Sequence, residues 1–403
     1  MSVLSAEKET LAINGGTPVR KIFLPYGRQA IDESDIQAVV EVLRSDWLTT
    51  GPKVAEFEEA FAAWVGSKYA VSFSSGTAAL HGAAFAAGLK PGDEAITSPL
   101  TFAATANCIL YQGATPVFAD VSRDTLNLDP TECARRITPR TKAILPVNYG
   151  GHPADLNAIA ELAGNHNLVV IEDACHALGA EYQGRRVGSI SHMTVFSFHP
   201  VKHLTTGEGG MVTTNNQQYA ETLRRFRNHG ISSDARQRQK EGEWFYEMVL
   251  LGFNYRLTDI ACALGIQQLK KLDSNLKRRR EIAARYNEAF VETPALLTPQ
   301  VVDGITPAWH LYPVRLQLEI LRAGRDEIFR ALRAENIGLN VHYIPVHLHP
   351  YYRDRFGYVG GEYPVAEAVY ERLISLPMFH SMTDRDVEDV VRAVKKLVSY
   401  YLR

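Results

Sequence analysis

From Tyr69 to Thr214 the chain repeats one pattern, a short apolar run followed by turn residues and then, in most cases, a stretch with helical spacing. The runs are YAVSFS from Tyr69, EAITSP from Glu94, TPVFADV from Thr115, AILPVN from Ala143, LVVIEDA from Leu168, MTVFSF from Met193 and GMVTT from Gly210. Short apolar runs bounded by turn residues read as strands. Helical stretches such as Thr77 to Gly88, Thr101 to Tyr111 and Ala154 to Asn165 separate them, which predicts βαβ units and a mostly parallel seven-stranded sheet. Two amphipathic segments, Asp32 to Leu43 and Val54 to Val65, precede the series.

A long helical pattern, Asp259 to Phe290, follows the strands. Next comes VETPALLTPQVVDGITPAWH, rich in proline and threonine, and a new set of shorter alternations such as HLYPVRLQL. This change predicts an α/β chain in three parts: an N-terminal segment over 1–44, a large domain over 45–291 and a small α+β domain over 292–403. In the last part GLNVHYIPVH reads as a strand and Arg385 to Leu402 as a closing amphipathic helix. The chain has no internal repeat and no low-complexity segment.

Composition narrows the partners. With 403 residues, 46% of them apolar, the chain has material for a large core. Its 43 basic and 45 acidic residues leave a formal charge of −2, so no global field draws it to nucleic acid or an anionic membrane, and small molecules are the expected partners. Cys108, Cys133, Cys175 and Cys262 are scattered without a CxxC pair, which predicts neither a disulfide framework nor a zinc ribbon and suits a reducing cytoplasm. The stretch MSVLSAEKETLAINGG is broken by charges, and no run approaches the roughly 18 apolar residues of a spanning helix, so export and membrane insertion are not expected.

In open α/β sheets ligands bind at the carboxyl ends of the strands, and that is where the candidate chemistry collects. After the first run SSGTAAL turns through Ser74, Ser75, Gly76 and Thr77 into a helix, either as a plain N-cap or as a phosphate site. After the fifth run come Asp173 and His176; the acid is a helix cap or the acceptor that keeps a buried cationic nitrogen protonated, and the histidine is structural or chemical. After the sixth come Ser197, Lys202 and the glycines Gly207, Gly209 and Gly210. Alone, Lys202 would be a solvated surface lysine. A phosphate cradle, a carboxylate for a ring nitrogen, a hydroxyl and an amine on one rim together describe a pyridoxal phosphate pocket.

Other motifs predict less. His342, His347 and His349 are irregularly spaced, a proline intervenes and no acidic partner is nearby in the chain, so no metal site is expected. LKRRREIAARY from Leu276 reads as a solvated helix face, not a nucleic-acid patch, and LHGAAFAAGL as a buried helix.

The motifs SSGTAAL, EDACHALGA and SFHPVKHLTTGEGG, with DWLTTGPKVAEFEEAFA, NHGI, GFNYRLTDIACALG, VHYIPVHLHPYY and LPMFHSMTD, resemble the DegT/DnrJ/EryC/StrS family of sugar aminotransferases, a branch of the fold type I pyridoxal phosphate enzymes, over nearly the whole chain. The resemblance implies that Lys202 is the Schiff-base lysine, Asp173 the partner of the pyridine nitrogen, His176 a contact to the cofactor's phenolic oxygen and Phe102 the ring stacked on it. Ser197 and the amides around Ser75, Gly76 and Thr77 would hold the phosphate of pyridoxal 5'-phosphate. Asn254 would reach that phosphate from a second subunit, making a homodimer with shared active sites.

FLPYGRQ, SDWLTTGP and SFHPVKHLTTGEGG are most similar to the subgroup that moves an amino group from L-glutamate to carbon 4 of a UDP-linked 4-keto-6-deoxy-N-acetylhexosamine in pseudaminic acid biosynthesis. On that likeness Tyr26, Asp46, Trp47, Leu48, Thr49, His342, Tyr343, Ile344 and Pro345 are candidate contacts to the nucleotide keto sugar, although such residues are also ordinary in loops. A dTDP- or GDP-linked 3- or 4-keto sugar is the alternative substrate. A dehydratase of the family would have histidine at Lys202, and a silent regulator would have lost some of Lys202, Asp173 and Ser197, all of which are present. No GxGxxG follows the first strand, which argues against a nicotinamide enzyme.

Overall fold

The computed structural model describes residues 10–233, 238 and 242–403. Its main strands are β1 Tyr69–Phe73, β2 Glu94–Thr97, β3 Thr115–Phe118, β4 Thr141–Leu145, β5 Val169–Asp173, then a small pair, β6 Glu181–Tyr182 and β7 Arg185–Arg186, and finally β8 Met193–Ser197 and β9 Gly210–Thr214. The seven apolar runs form one sheet in the order β1-β9-β8-β5-β4-β2-β3. Only β9 runs against the rest, pairing antiparallel with both β1 and β8. The cause is local. Between β8 and β9 there is no crossover helix, and a chain that turns straight back must pair antiparallel. That return loop carries Lys202.

Helices cover both faces of the sheet, which is why the strands are apolar runs with little alternation. The helices up to the C-terminal part are α1 Glu33–Leu43, which packs on the long helix, α2 Pro52–Val65, α3 Gly76–Ala86, α4 Ala104–Tyr111, α5 Pro130–Arg135, α6 Leu156–His166, α7 Gln217–Phe226 and α8 Asp259–Phe290. Successive strand residues enter different layers. Ile171, Val195 and Val212 pack with Ala79, Ala83 and Phe226, whereas Val170 meets Ile159 and Ala163, and Phe196 and Met211 meet Phe57 and Phe61. The LHGAAFAAGL stretch lies in α3 and is buried as its composition predicts.

The 32-residue α8 starts at a Thr258 cap, whose side chain accepts from Ala261 N, and spans roughly 48 Å at 1.5 Å per residue. Its first half packs Ile266, Leu269 and Leu272 against the sheet layer, and its second half packs Ile282, Tyr286 and Phe290 into the C-terminal core. That core also holds Leu11 and Leu24 from the N-terminal segment. The C-terminal elements are β10 Leu296–Leu297, β11 Ile305–Thr306, β12 Tyr312–Leu316, α9 Arg325–Ala334, α10 Pro350–Phe356, α11 Pro364–Tyr370, β13 Leu373–Leu376 and α12 Asp384–Tyr401. β10, β12 and β13 form one small sheet, and β11 joins β6 and β7 in another.

Two expectations fail. GLNVHYIPVH is not a strand: Asn340 and Ser375 form a single bridge, after which the chain turns toward the large sheet. Its main-chain groups are satisfied there instead, with Tyr149 Oη donating to His342 O and Val346 N donating to Pro99 O at 2.8 Å, while Pro345 has no N–H for a ladder. LKRRREIAARY is not a wholly solvated face either, because Arg279 points into the protein and is fully buried. Among the described residues no helix is long and apolar enough to cross a membrane.

Candidate active site

Three strand ends converge. At β5 the pleat sends Glu172 to one face and Asp173 to the other. Asp173 is buried, and its two oxygens accept from Thr105 Oγ1 at 2.7 Å and from Cys175 N at 3.1 Å. At β1 the chain turns into α3, where Ser75 Oγ accepts from Ala78 N at 3.1 Å, so the N-cap is real. The first-turn N–H groups of Gly76 and Thr77 are among those a helix leaves without intrahelical partners. At β8 lies Ser197, pressed close to this helix start: a Cβ on Gly76 would stand 2.9 Å from Ser197 Cβ and 3.1 Å from its Oγ. Glycine is required for that approach.

The threonine and glycine run that follows Lys202 braces its loop. Thr205 Oγ1 donates to Phe198 O at 3.0 Å, Gly207 N donates to Thr205 Oγ1 at 3.0 Å, and Thr206 N donates to Phe198 O at 3.1 Å. The half-buried Lys202 amine lies 3.4 Å from His310 Nε2. Burial holds its pKa below the ordinary lysine range, opposed by Cys175 and Asp173. His176 is buried, with Nε2 2.9 Å from Tyr343 Oη and Nδ1 unpartnered. Burial pushes the pKa values of His176, His203 and His310 well below the usual histidine range, so all three are neutral at neutral pH.

Aromatic residues bring other candidates to this rim. Phe102 is 61% exposed, with its ring 6.0 Å from that of Tyr343. Tyr26 stacks obliquely on His342 at 5.5 Å, and His342 meets Tyr343 edge-on at 5.0 Å. Gly27 adjoins Val201, next to Lys202. Ile344 is exposed and Pro345 buried. The Asp46, Trp47, Leu48 and Thr49 stretch is tied to the start of α8: Asp259 N donates to Leu48 O at 3.1 Å, and Thr49 bridges Thr258. Asn254 is exposed, next to Tyr255, whose carbonyl accepts from Ser74 N at 2.8 Å.

The three C-terminal histidines do not converge. His342 Nδ1 pairs with Ser375 Oγ at 2.9 Å. His347, expected to lack acidic neighbours, is corrected by the fold: Glu362 and Glu367 come to it, with ligand-type atoms all within 4.8 Å. Those carboxylates cap a loop, Glu362 accepting from Val359 N and Gly360 N, and Glu367 from Gly361 N, Tyr363 N and His347 Nε2. Sequence reasoning also missed Thr105, Cys175 and His310. Thr105 was detectable one helical turn beyond Phe102, and His310 two residues before a strand in AWHLYPV.

A mostly parallel sheet covered on both faces, with a lysine on the return loop and a carboxylate at a central strand end, is the architecture of a fold type I pyridoxal phosphate-dependent transferase. The chain belongs to the DegT/DnrJ/EryC1/StrS aminotransferase family, whose model matches residues 29–395. It is 50% identical over 383 residues to the spore coat polysaccharide biosynthesis protein SpsC of Bacillus subtilis, covering 94% of this chain and 98% of that one. Among solved structures it is similar to Helicobacter pylori PseC, an aminotransferase involved in the biosynthesis of pseudoaminic acid, at 34% identity and a TM-score of 0.87, over 94% of this chain and 100% of that one. The PLP form of Spr1654 from Streptococcus pneumoniae matches at 31% identity and a TM-score of 0.87, over 94% of this chain and 100% of that one. The chain is a sugar aminotransferase that depends on pyridoxal 5'-phosphate. Its residues suit that group, since the Ser197 hydroxyl held close to the helix start at Gly76, the unpartnered His176 Nδ1 and the buried Asp173 carboxylate offer donors for an anion, a hydroxyl partner and a counter-charge for a ring nitrogen.

Proposed function

We propose that the enzyme moves an amino group from L-glutamate to carbon 4 of a UDP-linked 4-keto-6-deoxy-N-acetylhexosamine. The observation that carries the chemistry is the Lys202 amine, half-buried and of lowered pKa, on the same rim as Asp173 and the close approach of Ser197 to the helix start at Gly76. For the substrate, support comes from the 34% identity to PseC along that enzyme's whole length. When bound, pyridoxal 5'-phosphate supplies a carbonyl that joins an amine and a ring that takes up the electron pair left by the donor's α-proton.

The chain does the rest. The amides of Ser75, Gly76 and Thr77 and the hydroxyl of Ser197 hold the phosphate. Asp173, aimed by Thr105 and Cys175 N, keeps a proton on the ring nitrogen. His176 has one ring nitrogen free for the phenolic oxygen, and Phe102 covers a ring face. Lys202 Nζ would hold the group at its aldehyde; displaced from it by the amine of glutamate, it would be free to take the α-proton, and in the second half-reaction to give a proton to carbon 4 of the sugar. Because that amine stands on one side only, the new amine has a single configuration.

Tyr26, the Asp46 to Thr49 stretch and the His342 to Pro345 segment receive the nucleotide sugar. Asn254 serves the phosphate of a partner subunit, so the working unit is a homodimer with shared sites. The nearby exposed apolar side chains of Trp244, Met248 and Leu251 support that assembly. Four unpaired cysteines suit the cytoplasm. The test is to supply glutamate and a panel of nucleotide keto sugars and to identify the aminated product by mass and NMR. Amination of the UDP 4-keto sugar is expected. An inert UDP sugar beside a reactive dTDP- or GDP-linked keto sugar, or a reactive 3-keto sugar, would overturn the substrate assignment.

A further inference from the structure

Arg279 is a cation with no exposed surface, and its partners among the described residues are carbonyl oxygens, not carboxylates. Its Nη1 donates instead to three carbonyl oxygens, those of Trp309 at 3.0 Å, His310 at 3.3 Å and Met378 at 2.9 Å. A guanidinium buried without an anion is destabilising, so the segment it grips is the place to look for a return. That segment is built to one geometry. Trp309 has a φ of 51°, and Gly151, at a φ of 102°, nests against it: a Cβ on Gly151 would stand 2.8 Å from Trp309 N and 2.9 Å from both His310 N and His176 O. Ala308 N donates to Gly151 O at 2.9 Å, and Leu311 N donates to Gly150 O at 3.1 Å. The main chains that carry His176 and His310 are therefore locked to each other.

What the clamp delivers is the His310 imidazole. Its ring packs 4.5 Å from that of His176 and 5.5 Å from that of His203, with Nε2 3.4 Å from Lys202 Nζ. Nδ1 has no partner. A neutral imidazole with its proton on Nδ1 presents Nε2 as an acceptor, and an amine N–H is the donor in reach.

We propose that His310 is a positioning residue for Lys202, accepting a hydrogen bond from its amine through Nε2, and that Arg279 fixes His310 by clamping the Trp309 and His310 carbonyls. The bond leaves the amine lone pair aimed at the reacting carbon once the lysine is free of the cofactor, so it serves the proton-transfer steps and not glutamate binding. This rests on Lys202 being the reacting amine. The groups facing that amine are Asp173, Cys175 and His176 from the end of β5, His203 from its own loop, Arg279 from α8, and His342 from the C-terminal segment. An acceptor favours the ammonium form, so removing His310 lowers the pH at which Lys202 loses its proton.

The experiment compares His310→Ala, His310→Gln and Arg279→Lys with the parent enzyme. In cofactor-free protein, the rate at which trinitrobenzenesulfonate labels Lys202 is followed against pH by peptide mass. In holoenzyme, the glutamate half-reaction is followed by absorbance for its rate constant and half-saturation. For His310→Ala the labelling midpoint should move to lower pH and the half-reaction should slow about 10- to 100-fold, with half-saturation changed less than about threefold. His310→Gln, which keeps an acceptor, should recover part of the rate. Arg279→Lys should slow the same step, and combining it with His310→Ala should add nothing further. An unchanged midpoint and rate in folded His310→Ala protein would overturn the inference, as would equal losses in Ala and Gln or additive losses in the double variant. Borohydride trapping at a lysine other than Lys202 in the parent enzyme would overturn the underlying assignment instead.

Discussion

Glu172 and Asp173 are neighbours on one strand, both carboxylates, 0% and 6% exposed. They face opposite sides of the sheet and live in different company. Beneath the sheet Glu172 accepts from Asn148 Nδ2 at 2.7 Å, Ser191 Oγ at 2.8 Å and Thr194 Oγ1 at 3.0 Å. That network closes on itself, as buried polar groups in a purely structural setting must. Around Asp173 the polar groups stay open: His176 Nδ1, His203 Nδ1 and His310 Nδ1 have no partner, Lys202 is half-buried without a bonded carboxylate, and Phe102 stands exposed at the rim. Unfilled hydrogen-bonding capacity concentrated on one side of a strand end marks where a ligand completes the structure.

The comparison is broken most sharply from the open side. Lys202→Ala should lower turnover of glutamate with a keto sugar by at least about 10⁴-fold, since it removes the proposed anchor and proton carrier. Its melting temperature should hold or rise, because a half-buried cation is gone; unfolding with the loss of rate would mean that Lys202 holds the loop together. Asp173→Asn should reduce kcat by roughly 10²- to 10³-fold with little change in melting. Near-normal turnover in that variant would place Asp173 with Glu172 among the structural acids.

From the closed side the effect should be on stability. Glu172→Ala strands Asn148, Ser191 and Thr194, and denaturant unfolding should show a loss of about 3 kcal/mol with turnover of the surviving folded enzyme within a few-fold. The smallest effect is a matter of sign. Burial raises the Glu172 pKa above its ordinary 4.5, so the folded chain holds a proton the unfolded chain releases, and this contribution to stability is lost as pH rises through the folded value. Burial lowers the His342 pKa from 6.5 to about 3, so its contribution is full above pH 6.5 and is lost as pH falls toward 3. Glu172→Gln should therefore flatten the fall in stability as pH rises above 4.5, and His342→Asn the fall as pH drops below 6.5, each by up to about 1.4 kcal/mol per pH unit. Shifts of the same sign in both variants would show that the two sides do not differ as described.

Much of this was legible in the chain. All seven strands of the main sheet lie on the apolar runs, and the strand-end rule led to Asp173, Ser197 and Lys202 because a parallel sheet sends its carboxyl ends to one edge. What stayed hidden depends on contacts distant in sequence. His310 reaches Lys202 across 108 positions, Tyr343 reaches His176 across 167, and Thr105 reaches Asp173 across 68. Arg279 looked solvated because its neighbours in LKRRREIAARY are charged; Arg278 does pair with Asp384, one helical step away from a side chain turned fully inward. GLNVHYIPVH has a strand's composition, yet the large sheet competes for its main chain.

The central claim is that Lys202 is the amine that holds the cofactor. Borohydride reduction of the purified yellow enzyme, followed by proteolysis and mass mapping, tests it directly. The account predicts a stable pyridoxyl adduct on the peptide that contains Lys202 and none in Lys202→Ala protein. An adduct on any other lysine of the parent enzyme, or an undiminished one in Lys202→Ala, would contradict it.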